Sequence, residues 1–309
     1  MSVRFAPSPT GNFHVGNFRT AWISHRIARL WGVPWVVRFE DIDRPRVVAS
    51  ARARQLSEMK ALGMVPDETH LQSEQHERHW ELFSEALADG QIYPCFCSRK
   101  EIRENVDGVA SAPHGDPLEP VRLVYSGRCR SLERTPSHSL PSLAWRFRSE
   151  DASGAADFIV ARTSPDLDGE RRPEKTHFTP AYHWACAIDD YFGEYELLVR
   201  AADLAGAIEQ QRRIQSWIAH HLGETEVHNP VFHTALVVQD SGQRLEKRTK
   251  GVTFEELLAK GWTAKRLREL FERSFEMKFL PRPPPDSVMG ERARVLRLSE
   301  IGLSLSENP

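Results

Sequence analysis

Three groups of residues in the sequence have types and spacings that could do chemistry. The first is Pro7-Ser8-Pro9-Thr10-Gly11-Asn12-Phe13-His14-Val15-Gly16-Asn17, set between a β-rich run, Val3-Arg4-Phe5, and a stretch of helical periodicity. Gly16 lets a ligand approach the backbone, and the N-terminus of the following helix offers unpaired N–H groups and a positive dipole end to phosphate oxygens. His14 is placed to donate a hydrogen bond to a phosphate on which charge grows during attack. By itself a His-x-Gly turn is more often structural than catalytic. The second group is a basic turn, Arg244-Leu245-Glu246-Lys247-Arg248, which reads either as a phosphate contact or as a solvated loop. The third is Cys95, Cys97 and Cys129, with Tyr125 four residues before the last. Zinc takes four ligands in a tetrahedron and accepts thiolates readily, so two such pairs could tie down an irregular segment. Buried free thiols account for the same spacing equally well, and His114 or His138 is chemically a more ordinary fourth ligand than a tyrosine phenolate. All four positions filled would make the site structural.

The elements around these groups read as α/β. Val3-Arg4-Phe5, a loop broken by prolines, a helix over 18–31 stopped by Gly32-Val33-Pro34, and the strand Trp35-Val36-Val37-Arg38-Phe39-Glu40 make a βαβ unit, which favours a parallel sheet with a right-handed crossover. Two amphipathic helices follow, over 49–63 and 74–90. Residues 103–143 are rich in Gly, Pro, Ser and Arg and read as an insertion. An α/β pattern resumes with 181–188 and 196–199, a helix-like 204–221 and a strand-like 234–239. The region after Lys250 is mostly helical in pattern, broken at Pro281-Arg282-Pro283-Pro284-Pro285. The chain has 309 residues, of which 40% are hydrophobic and 27% charged, so it can bury one large core or two modest ones. No apolar run approaches the ~18 residues of a membrane span. Met1-Ser2-Val3-Arg4 opens no signal segment, and four cysteines are too few for a secreted disulfide framework, so a cytoplasmic protein is expected. Residues 244–297 carry fourteen Lys/Arg against eight Asp/Glu, which suits either a polyanionic partner or a mixed solvated face.

The run 4–17 followed by Val37-Arg38-Phe39-Glu40-Asp41-Ile42-Asp43 resembles class I aminoacyl-tRNA synthetases of the glutamate type, whose first signature is His-x-Gly-x. Their second signature is a lysine-rich loop late in the catalytic domain, where Arg244–Arg248 stands here; several motifs in the family's order cover about 3–250. The resemblance implies a Rossmann-like parallel sheet with a zinc-containing insertion and a small helical C-terminal region. It implies ATP and Mg²⁺ as co-reactants, with Pro7, His14, Gly16, Asn17, Arg244 and Lys247 at the nucleotide and His14, Gly16 and Lys247 catalytic. Arg244 stands where a lysine is usual and Glu246 where a small serine is, and arginine is not equivalent to lysine at a close phosphate contact. For L-glutamate the resemblance implies Arg4 at the γ-carboxylate, with Ala6, Ser8, Glu40, Tyr182 and Arg200 completing the pocket. Cys186 replaces an asparagine four residues after the tyrosine, which predicts altered glutamate binding.

Cys-x-Cys followed by Tyr-x-x-x-Cys is similar to the arrangement in glutamyl-Q tRNA(Asp) synthetases, shortened paralogues of that family, and implies zinc on Cys95, Cys97, Tyr125 and Cys129. The organisation then expected is a first catalytic half at 1–90, the zinc-containing insertion at 91–178, a second catalytic half with the lysine loop at 179–250, and a helical region at 251–309 with no anticodon-binding domain. The activity implied is ATP-dependent activation of L-glutamate and its transfer to queuosine in the anticodon of tRNA(Asp), by a monomer. Arg128, Arg130 and Arg134 are available to tRNA phosphates. The alternatives are a short synthetase charging a tRNA 3′ end and a catalytically silent, zinc-containing RNA-binding paralogue.

Overall fold

The computed structural model describes residues 1–98, 101–102, 125, 127–131, 143–150, 156–164, 174–245, 252–276 and 280–303. In chain order the elements are β1 (Val3–Phe5), α1 (Val15–Trp31), β2 (Trp35–Phe39), α2 (Ala51–Ala61), β3 (Glu68–Leu71), α3 (His76–Ala88), β4 (Ile92–Cys95), β5 (Leu143–Phe147), β6 (Phe158–Thr163) and β7 (Thr179–Pro180). There follow α4 (Tyr182–Phe192), β8 (Leu197–Ala201), α5 (Ile208–Leu222), β9 (Val231–Thr234), β10 (Leu236–Val238), α6 (Phe254–Ala259), α7 (Ala264–Arg273), β11 (Val288–Gly290) and β12 (Val295–Arg297). They form two compact units. One comprises Met1–Ser73, Asp190–Gly206 and Val227–Pro309, the other Glu74–Asp189 and Ala207–Glu226. One limit falls within α4, between Asp189 and Asp190.

The first unit is built on a six-stranded sheet of order β11-β9-β8-β1-β2-β3, with every neighbouring pair parallel. The strand order reverses at β1, which lies between β2 and β8, and open α/β sheets bind ligands beyond the carboxyl ends at such a point. Trp35-Val36-Val37-Arg38-Phe39 and Leu197-Leu198-Val199-Arg200 do not alternate because parallel strands are covered on both faces; β2 is buried throughout. α1 is covered in turn by Phe254 and Phe271 from α6 and α7, with Phe18 and Trp22 as the facing rings.

Three positions of these strands are buried arginines, Arg4, Arg38 and Arg200. Arg4 pairs in register with Val36, so Arg38, two residues on, points to the same face of the sheet. Both are nearly inaccessible, as is Asp190. Asp190 Oδ2 accepts from Arg4 Nη2 at 2.5 Å and Oδ1 from Arg38 Nη1 at 2.6 Å. Burial pushes the Asp190 carboxyl up, but the guanidinium groups of Arg38, Arg4 and Arg200 outweigh it and hold the group below the ordinary carboxylate range.

The second unit carries an antiparallel sheet of order β4-β5-β6-β7. Its core is aromatic: Phe83 packs on Trp145, Phe178 and Trp184. Here Asp189 accepts from buried His79 at 2.7 Å.

Three elements depart from the sequence expectation. β3, Glu-Thr-His-Leu, was hidden by its polarity, which suits a strand at the sheet's edge. The strand-like 234–239 is two strands in different sheets, broken at Ala235, whose N–H goes to the Glu291 carboxylate at 2.6 Å. The region expected to be helical over 251–309 is helical only as far as α7. β11 then joins the main sheet beside β9, and β12 pairs with β10. Three-residue strands in a proline-rich run have no readable period.

Removing the Asp190 charge takes from buried Arg4 and Arg38 the carboxylate they share, with Glu40 at 3.4 Å remaining to Arg38. Asp190→Asn should lower unfolding free energy in denaturant by about 3–5 kcal/mol, as for other broken buried pairs. In the unsubstituted chain this contribution is present above the ordinary carboxylate pKa and is lost as pH falls through the lowered value.

Candidate nucleotide and amino-acid site

His14 caps α1. Its Nδ1 accepts from Gly16 N at 3.1 Å, and the Asn17 side chain returns a bond to His14 N at 3.1 Å, a reciprocal capping box. Burial lowers the His14 pKa to about 4, so the ring is neutral at pH 7. With Nδ1 committed as an acceptor, the ring proton resides on Nε2, which is then a donor. Gly16 has a steric reason to be glycine. A Cβ there would lie 3.0–3.1 Å from the His14 ring and 3.3 Å from Val237 Cβ. Thr20 Oγ1, bonded to Gly16 O at 3.1 Å, meets Thr234 Oγ1 at 2.8 Å and fixes α1 to the end of β9.

The loop before His14 is held by its carbonyls. Pro7 O accepts from Glu40 N, Pro9 O from Val48 N and Gly11 O from the side chain of buried Gln55. Arg54 bonds Asn12 Oδ1 at 2.7 Å. Ser8 is exposed and Ala6 half-buried at the carboxyl end of β1. Beside them stand Arg4, Arg38 and Arg200, facing Asp190 and, through Arg38, Glu40 at 3.4 Å. Guanidinium groups at the strand ends are the residue type that can pair with a carboxylate.

Arg4, Ala6, Pro7, Ser8, His14, Gly16, Asn17, Glu40, Arg200 and Arg244 all belong to the first unit. Tyr182 opens α4 in the second, where its ring meets that of His183 at 5.5 Å, and Cys186 is buried on the same helix. Arg244 is exposed and lies 3.7 Å from Asp203. Lys247 and Glu246 fall outside the described residues. The segment beyond them returns to the site: Val15 N donates to Val252 O at 2.9 Å, and Thr253 bridges His14.

In the second unit the Sγ atoms of Cys95, Cys97 and Cys129 lie within 4.8 Å of one another, with Cys97 and Cys129 3.6 Å apart. Zinc–sulfur bonds of about 2.3 Å in a tetrahedron set sulfurs roughly 3.8 Å apart, so the three thiols fit a metal. Tyr125 brings its hydroxyl to Cys129 N at 2.8 Å, and Arg146 stacks on its ring while bonding Cys95 Sγ at 3.2 Å. Hydrogen bonds from Cys129 and Cys97 and the Arg146 charge push the Cys95 thiol far down. His114, His138 and Arg134 fall outside the described residues. Arg128 is exposed, but Arg130 is engaged by Ser149 O at 2.7 Å and Asp157 at 3.5 Å, so it is not an open phosphate contact.

The family model described as tRNA synthetases class I (E and Q), catalytic domain, matches residues 1–275. The chain belongs to this class I synthetase family. A glutamyl-Q tRNA(Asp) synthetase of Burkholderia mallei is 32% identical over 255 residues, 80% of this chain and 80% of that protein. One of Nocardia farcinica is 31% identical over 91% of this chain and 86% of its own length. A glutamate–tRNA ligase of Bacillus licheniformis is 29% identical over 81% of this chain, which spans 52% of that ligase. The crystal structure of an Elizabethkingia meningosepticum glutamate tRNA ligase shares the fold, with a TM-score of 0.56 at 22% identity, over 80% of this chain and 52% of that one. Among the described residues, no helix is long and apolar enough to cross a membrane.

In this class I chain, sequence reading missed Asp190 as the counter-ion of Arg4, Arg38 as its second partner, and Asn17 as half of the cap. A signal was available for the first two: buried strand arginines require a carboxylate, and Asp189-Asp190 was at hand.

Gly16→Ala should displace the His14 ring and lower turnover of ATP-dependent chemistry about tenfold or more, with a loss of stability no larger than the ~1 kcal/mol of a helix cap, measured by pyrophosphate exchange beside thermal melting. Since the His14 pKa is lowered to about 4, the cap's contribution is complete above the usual value of 6.5 and declines as pH falls from there towards 4.

Proposed function

We propose that the chain activates L-glutamate with ATP and Mg²⁺ and transfers it to the queuosine base of tRNA(Asp). The observation that carries the reading is the likeness to glutamyl-Q tRNA(Asp) synthetases along 80–86% of their length, joined to a cluster of arginines at the strand ends. An oxygen of the glutamate α-carboxylate attacks the α-phosphorus, and the bond to pyrophosphate breaks. The nucleophile is already ionised, so no base is required, and the residues act by positioning and by charge stabilisation. His14 Nε2–H donates to the α-phosphate at the α1 N-terminus. Lys247, aided by Arg244, balances the charge of the departing pyrophosphate. Arg4 and Arg200 hold the γ-carboxylate, with Ala6, Ser8, Glu40 and Tyr182 completing the pocket and Pro7 and Asn17 flanking the nucleotide. In the second step a hydroxyl of queuosine's cyclopentenediol attacks the acyl carbon and AMP leaves.

The test is glutamate-dependent pyrophosphate exchange without tRNA, followed by labelled glutamate transfer to tRNA(Asp) with and without queuosine. Exchange without tRNA and labelling only of the queuosine form are expected. Equal labelling of both forms, or label on the terminal adenosine, would point instead to a short synthetase charging the 3′ end. No exchange with any amino acid would leave the silent RNA-binding paralogue.

Cys95, Cys97, Cys129 and Tyr125 are proposed to hold one structural zinc, whose thiolate bonds would tie β4 to the segment around Cys129. Elemental analysis of protein purified without chelator should return one zinc per chain, and Cys97→Ser should release it and lower the melting temperature. A metal-free protein would refute the assignment.

A further inference from the structure

Arg19 lies on α1 one turn beyond Gly16 and is buried. Its guanidinium group is answered from far along the chain. Glu291, the residue after β11, accepts from Arg19 Nη1 at 2.7 Å and from Nη2 at 2.6 Å. Ser274, just after α7, accepts Nε at its hydroxyl at 2.9 Å and Nη2 at its carbonyl at 2.8 Å. The Glu291 carboxylate also accepts from Ala235 N at 2.6 Å. One group thus grips α1 on one side and the break between β9 and β10 on the other. Its own backbone is held close: Glu291 N donates to His233 O at 3.0 Å, and a Cβ on Gly290 would stand 2.9 Å from that oxygen.

The break faces the turn that carries His14. Thr234, next to Ala235, meets Thr20 at 2.8 Å, and Thr20, next to Arg19, donates to Gly16 O at 3.1 Å. A hydroxyl has one proton, so the bond between the two threonines is donated by Thr234. Val237 Cβ stands 3.3 Å from where a Gly16 side chain would begin, and Leu236 N donates to Arg294 O at 2.8 Å. The wall against which the His14 cap packs is therefore itself fastened by 291–294, a stretch beyond the 1–275 family match.

We propose that Glu291 is a positioning residue for adenylate formation: by holding Arg19 and Ala235 together it fixes the first turn of α1 against 234–237, and so the direction in which His14 presents its Nε2 proton. The assignment rests on the reading of His14 as the donor to the α-phosphate. A carboxylate is required because both of its oxygens are used, Oε1 by Arg19 Nη2 and Oε2 by Arg19 Nη1 and Ala235 N. An amide in its place keeps one accepting oxygen and turns N–H donors towards the other partner. The opposite end of α1 offers a comparison. Asp67 Oδ2 accepts from Arg29 Nη2 and from Trp35 N, both at 2.7 Å, and so staples the same helix by the same chemistry. That staple lies roughly 20 Å along the helix axis from the His14 turn.

The experiment measures pyrophosphate exchange and, in parallel, the tautomer of the His14 ring by long-range proton–nitrogen correlation on the histidine-labelled full chain, with the signal assigned by its loss in His14→Gln. In Glu291→Gln, kcat should fall about tenfold or more while KM for ATP changes by less than about threefold, since what is lost is aim and not binding. An Nδ1–H form of His14 should appear beside the Nε2–H form of the unsubstituted chain. Arg19→Lys loosens the link from the helix side and should show both effects, so the test does not depend on Glu291→Gln folding. Glu291→Asp, which retains the charge, should recover part of kcat. Asp67→Asn should lower the melting temperature and leave kcat and the tautomer as they were. An equal fall in kcat in Asp67→Asn, or an unaltered tautomer in folded Glu291→Gln or Arg19→Lys, would overturn the proposal. An unsubstituted chain without exchange activity would strike the parent function alone, because the tautomer comparison uses no substrate.

Discussion

Two guanidinium groups inside a parallel sheet cannot stand without a carboxylate between them, and the first unit is organised around that requirement. Arg4 and Arg38 occupy interior positions of adjacent strands, and transferring such charges from water costs several kcal/mol each. Asp190 meets both at 2.5–2.6 Å from α4. The same cluster, with Arg200 near enough to act on Asp190, places guanidinium groups at the strand ends. The carboxylate that makes the arginines tolerable also fixes where their guanidinium groups stand.

A comparable economy governs the turn at His14. As an isolated motif, His-x-Gly is read either as a cap or as a catalytic element, and the geometry makes the two compatible. Nδ1 and Asn17 close the cap, the glycine makes room for the ring, and what is left over is the Nε2 proton. A cap that fixes the tautomer also fixes the direction of the donor.

The parallel fold, the signature loop on α1 and the cysteine cluster were legible because each has a local pattern: a βαβ alternation, a His-x-Gly-Asn string, a Cys-x-Cys pair. Asp190 was visible as a residue but not as a counter-ion, because its partners are 186 and 152 residues away and nothing local announces them. β11 and β12 were invisible for the same reason. Val-Met-Gly and Val-Leu-Arg have no period of their own, and they become strands only because β9 and β10 present open edges. The limit that cuts α4 was equally unreadable, since no proline or glycine marks it. Helix continuity is local, whereas membership of a compact unit is decided by distant contacts.

The strands at 288–297 also impose an order on the birth of the molecule. The first unit is assembled from three separated stretches of chain, and its Arg19–Glu291 link joins residues 272 positions apart. During synthesis from the N-terminus, the second unit has all of its sequence by Glu226, while the first still lacks the edge strand, the partner of β10 and the carboxylate for Arg19. The stretch that emerges first thus belongs to the unit that closes last. Until that closure, a ribosome-bound chain would present β9 as an uncovered edge and Arg19 as an unpaired charge, a state in which chaperone contact has its clearest physical target.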